Sequence, residues 1–208
     1  MRSIQPTRGR PRKGIGDRLR GVYWARTVMR LSGLSATQLD DRYRWFSAEG
    51  SHRPCLWHKY LRGTVTPKDT GDRRSIILRV EADFPGTYEI YHHTIWTLLN
   101  VPVGSMDEVF RVFDVLREPI RSWLILPDDE WGEDGLFWRT EICADEVYHK
   151  LVELQELDAG AALLGLVAES RLCQRSESYY TGSEAFRLWA TLQGYPLQRL
   201  TLLEDFLI

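Results

Sequence analysis

From residue 16 onward the apolar positions recur at helical spacing. Val22, Ala25 and Met29 share one face, and Trp24, Val28 and Leu31 an adjacent one. This pattern predicts a helix over about 16–31 that is covered around most of its circumference. Gly33 supplies the stop. Ser35-Ala36-Thr37-Gln38 is a capping-box string, with Leu39, Tyr43 and Phe46 following at helical spacing. Residues 47–53 are polar and predict a loop. Pro54 then opens a short helix that closes at Gly63. Pro67 blocks continuation, and a further helix carries Ile76, Ile77, Val80 and Phe84 up to the turn Pro85-Gly86.

The second half repeats the helical period with different punctuation. A helix is expected over about 89–100. Ser105-Met106-Asp107-Glu108 is a second capping box, leading to Val109, Phe110 and Phe113. Pro119 stops that helix or starts the next. Pro127 to Gly135 is an acidic loop with five carboxylates. Three more helices are predicted at about 141–158, 160–173 and 183–193, closed by Gly194 and Pro196. The apolar residues up to Ile208 imply a C-terminus packed on the core or on a partner. Residues 136–142 are the one candidate strand, and there is no internal repeat. The expectation is a mainly α protein in three parts. A basic flexible tail (1–15) precedes a basic, helix-turn-helix-like unit (16–86), and an acidic helical domain follows (87–208).

Composition fits a folded chain: 43 % of residues are hydrophobic and eight are Trp. Cys55, Cys143 and Cys173 are odd in number and widely spaced, which favours reduced thiols and a cytoplasmic location over a disulfide framework. No apolar run approaches the roughly 20 residues of a membrane span. The basic N-terminus lacks the apolar segment of a signal peptide and the Ser-rich character of a transit peptide.

Charge changes the picture more. Residues 1–79 hold 18 Lys/Arg against 6 Asp/Glu, whereas residues 80–208 hold 9 against 23. A formal +12 faces a formal −14, and the first part suits a polyanion. The basic part opens with Arg8-Gly9-Arg10-Pro11-Arg12-Lys13. A narrow A·T minor groove attracts inserted Arg. Gly9 permits close backbone approach, and Pro11 restricts Arg10 to an extended form that follows the groove. The string resembles the AT-hook, which implies minor-groove contact; a solvated basic tail on phosphates is the alternative.

Residues 16–84 resemble the Cro/repressor-type (XRE) helix-turn-helix family. Gly33-Leu34-Ser35 with Gln38 and Leu39 matches the entry to its second helix. Tyr60-Leu61-Arg62-Gly63 with Pro67 matches the end of its recognition helix, and Ile76, Val80 and Phe84 its closing helix. Gly33 to Gly63 is about eight residues longer than the family pattern, an insertion that a loop at 47–53 can absorb. The resemblance implies that His58, Lys59 and Arg62 face the major groove while Trp57 and Leu61 point inward. Arg26 and Arg30, one turn apart, suit phosphate contacts, as do Arg18, Arg20, Arg42, Arg44, Arg53, Arg73 and Arg74. A helical hairpin with a basic, snorkelling surface is the alternative.

Other chemistry is sparse. His52-x-x-Cys55-x-x-His58 offers three ligands where structural zinc takes four, so no metal is expected. Glu89–His92 and Glu146–His149 are Glu-x-x-His strings of the kind that build di-iron bundles. Phosphate-binding loops and familiar catalytic strings are missing. Cys55, followed by Leu and Trp, is expected in the core. The loop at 128–134 lacks EF-hand spacing, and its Trp131 is a candidate partner contact.

The leading expectation is a non-enzymatic, cofactor-free protein that binds double-stranded DNA. A bacterial transcriptional regulator, or a DNA-binding factor of a mobile element or defence locus, would fit. Its acidic domain would serve a homo-oligomer or protein partner. The alternative is an interaction or assembly subunit whose opposite-charge halves dock. RNA binding is a variant weakened by the lack of an aromatic RNA-binding module. A di-iron carboxylate enzyme is third.

Overall fold

The computed structural model describes residues 14–44, 55–127, 139 and 144–193. The fold is mainly helical: 69 % of the described residues are in helices and none in a strand. Within the candidate strand only Arg139 is described, and it forms a single antiparallel bridge with Ile125. The basic string 8–13, His52, Phe46, Trp131 and the C-terminal apolar residues lie outside the described residues.

Four helices build the first core. α1 (Ile15–Ser32) ends at Gly33, whose φ of 66° is left-handed and whose N–H donates to Met29 O. α2 (Ala36–Arg42) starts on the complete capping box of Ser35 and Gln38. α3 (Leu56–Leu61) and α4 (Ile76–Asp83) follow. Trp24, Val28, Leu39, Tyr43, Trp57, Tyr60, Ile77 and Val80 are buried together. Trp24 stacks on Trp57 at 5.2 Å between ring centroids and meets Tyr60 and Tyr91 edge-on. Such pairs add directionality to ordinary apolar burial. Two expectations are corrected here. Tyr60 is the residue buried with Trp57, whereas Leu61 packs against the same cluster but is only half-buried. The reason is that α1 and α2 both approach α3 from the side set by Trp57, which residue 60 shares at i+3. Leu31 is exposed, since α1 is leaving the core by its last turn.

The Pro85-Gly86 turn is held by one carboxylate. Glu81 accepts N–H bonds from Gly86 (2.8 Å) and Tyr88 (2.6 Å) and the Thr87 hydroxyl bond (3.0 Å). Burial works against the charge, but these donors outweigh it and hold the Glu81 carboxyl below its usual range. The helix expected over 89–100 is two: α5 (Thr87–His92) and α6 (Ile95–Leu98). His93 breaks it in an extended conformation, its Nδ1 accepting the Ile95 N–H at 3.2 Å.

The second core surrounds α10 (Leu157–Leu172), of which fourteen residues from Leu157 to Ser170 are buried. A helix that is apolar all round belongs at the centre of its layer. Against it pack α6, α7 (Met106–Asp114), α8 (Ile120–Leu124), α9 (Ala144–Leu154) and α11 (Ser176–Leu192). Ser105 accepts the Glu108 N–H, but Glu108 reaches Gly104 N–H rather than closing the box on Ser105. α9 ends at Leu154, before Gln155 in a left-handed conformation, so 141–158 is not one helix. α11 begins seven residues before the expected 183. Gly182 lies inside it because the helix there passes close to Val167 and Tyr148.

The cores join along α1. Leu19 belongs to the second core while Trp24 and Ala25 belong to the first. Gly16 N–H donates to Asn100 Oδ1 at 2.8 Å. Tyr91, beyond the turn at 86, sits in the first core, and its hydroxyl donates to Pro67 O.

Candidate nucleic-acid interface

α3 is short, and its orientation comes from its buried aromatics. Trp57 and Tyr60 face α1, so His58 and Lys59 are turned outward, and Arg62 caps the end in the open. Burial pushes the Tyr60 hydroxyl pKa up to about 12, which keeps this anchor neutral. Asp40 on α2 accepts the Trp57 N–H at 3.2 Å, and His58 Nε2 lies 3.4 Å from Thr37 Oγ1. The two helices are thus fixed to each other. Residues 43–55 link them, far more than the three or four residues of a tight helix-turn-helix connection.

The turn after α3 lies on the N-terminal half of α1. Gly63 has a φ of 67°, and a Cβ there would stand 3.2 Å from Val22 and 4.0 Å from the Cβ of Arg18. The backbone of Arg62-Gly63 therefore adjoins Arg18. Arg18, Lys59 and Arg62 are exposed and make no ion pair among the described residues. Arg26 and Arg30 are exposed one turn apart on α1. Arg20, Arg42 and Arg44 are different: they pair with Asp17, Asp83 and Asp41. The Asp83 carboxyl is held below its usual range by the Tyr43 hydroxyl bond, then by Arg42. These pairs take three of the expected phosphate residues partly out of reach. Of the eleven expected DNA-binding residues, His58, Lys59 and Arg62 come together on one face, Arg26 and Arg30 lie on α1, and residues 8–13 are outside the described set.

The other chemistry proposed from sequence is not assembled. Cys55 is exposed rather than in the core, because it stands ahead of α3 in a left-handed conformation with φ 44°. Glu89 and Glu146 are exposed, His92 pairs with Asp69 at 2.8 Å, and Glu146 pairs with Lys150. Among the described residues no three His, Cys, Asp or Glu side chains gather to hold a metal.

One polar cluster was not apparent in the sequence. Asp158, at the start of α10, is buried and accepts from His93 Nε2 (2.9 Å) and Arg117 Nε (2.7 Å). Since His93 Nδ1 accepts from Ile95, its proton is on Nε2. Burial would raise the Asp158 carboxyl, but His93 and Arg117 outweigh it and hold it below the usual range. Both ring nitrogens are engaged, so the cluster ties α5, α6 and residue 117 to α10. No family model, curated protein or solved structure matches the chain, and no helix among the described residues is long and apolar enough to cross a membrane.

Proposed function

We propose that this protein binds double-stranded DNA without enzymatic activity, as a transcriptional regulator or a DNA-binding factor of a mobile element or defence locus. The observation that carries the reading is the outward set His58, Lys59 and Arg62 on a helix locked by buried aromatics, with Arg18 beside it. Arg18, Lys59 and Arg62 are exposed cations with no carboxylate partner among the described residues, and such groups replace counterions on a phosphate backbone. The basic string 8–13 would add minor-groove contact, and α3 would approach the major groove. A six-residue helix is about 9 Å long, enough for a few base edges, so phosphate contacts supply most of the affinity.

The test is binding to A·T-rich and G·C-rich duplexes across a salt series. Wild type is compared with an Arg8→Ala/Arg10→Ala variant and a Lys59→Ala/Arg62→Ala variant. The tail variant should lose A·T preference. The α3 variant should bind more weakly and lower the salt slope by about 2. Equal binding by all three proteins would refute this interface.

A further inference from the structure

The acidic half hides a basic cleft. Of its nine Lys and Arg, three (Arg171, Arg175 and Arg187) line one cavity of about 670 Å³ between the end of α10 and α11. This is a volume suited to a small ligand. Its wall carries Tyr179 and Tyr180, whose rings meet edge-on at 5.8 Å. Tyr180 is 69 % exposed, so its ring is free to meet a ligand.

The turn between the helices builds the cleft. Gln174 takes a left-handed conformation, and Arg175 N–H returns to Ser170 O at 2.8 Å. This brings Arg175 to the start of α11, while Arg171 lies in the last turn of α10. Arg171 is steadied by a bond to Val103 O, and Arg187 by Glu184 at 2.8 Å. Arg175 has no ion pair among the described residues. α11 has seventeen residues and no side-chain cap at its N-terminus, where Ser176 lines the cleft. Its first N–H groups are therefore available to an anion. Ser183, buried in the cleft wall, has a hydroxyl without a hydrogen-bond partner among the described residues. Among the described residues Glu184 is the one carboxylate lining the cavity and Arg187 pairs with it, so Arg171 and Arg175 leave the described lining net positive within a half of formal charge −14.

We propose that this cleft binds a nucleotide. Arg171, Arg175 and the start of α11 hold its phosphates, and Tyr180, one turn along, stacks on its base. Charge-assisted bonds from Arg match phosphate oxygens, and a tyrosine ring accepts any base face. This site is separate from the DNA surface, so each can fail alone.

Isothermal titration of the full chain with ATP, and with inorganic phosphate, tests it. ATP should bind, and Arg175→Gln should weaken it by about tenfold or more, the loss of one charge-assisted contact. Tyr180→Ala should weaken ATP by a similar factor, on the order of one stacking contact, while leaving inorganic phosphate unchanged. Lys59→Ala/Arg62→Ala should leave ATP binding intact. Both cleft substitutions are at exposed positions, so folding is preserved and circular dichroism checks it. No heat with ATP at millimolar concentration, or binding lost with Lys59 and Arg62 but kept without Arg175, would overturn the proposal.

Discussion

Asp158 shows how one residue can bind a fold together. It is 4 % exposed and holds His93 and Arg117 at once. Truncation leaves the largely buried His93 without its acceptor, while the largely exposed Arg117 turns to solvent, so Asp158→Ala should cost about 1–3 kcal/mol in urea unfolding. The pH dependence has a definite sign. A carboxyl held below its ordinary value stabilises the fold above the unfolded pKa, about 3.9, and loses that contribution as pH falls through the folded value. Thermal unfolding of wild type should therefore drop more steeply below about pH 4 than that of Asp158→Asn. Gly160 is the opposite case, since it matters by what it lacks. A Cβ there would lie 2.3 Å from the Trp189 ring. Gly160→Ala should destabilise by about 1–3 kcal/mol through overpacking, measured by the same unfolding experiment.

At the scale of elements, local signals were the legible ones. Ser35-x-x-Gln38 and Gly33 placed the end of α1 and the start of α2 because caps act over three or four residues. Ser35→Ala should cost about 1 kcal/mol, visible as a small fall in unfolding midpoint. Breaks made by distant partners were not legible. His93 interrupts 89–100 through Asp158, sixty-five residues away, and no period in the sequence reports that. The inward turn of Tyr60 was missed for the same reason: two apolar residues, 60 and 61, compete, and the position of α1 decides. The exposed set His58, Lys59 and Arg62 was legible because polar residues between aromatics on a short helix have only one way to face. The cleft at Arg171, Arg175 and Arg187 was not, since it depends on the left-handed turn at Gln174.

For the molecule as a whole, the charge split has become a division of surfaces. Among the described residues Arg18, Lys59 and Arg62 of the first core have no carboxylate partner, whereas in the second half Arg117, Arg121, Arg139, Lys150 and Arg187 are paired and Arg175, in the cleft, is not. An assembly driven by opposite halves would show salt-dependent self-association. The DNA-binding account expects the same elution volume in size-exclusion chromatography at low and high salt. The most direct test is the affinity of the full chain for a labelled A·T-rich duplex, followed by fluorescence anisotropy between about 50 and 200 mM salt. The account predicts tight binding at low salt that weakens by about a thousandfold over that range, as six or more phosphate contacts require. Absence of binding at low salt, or an affinity indifferent to salt, would contradict it.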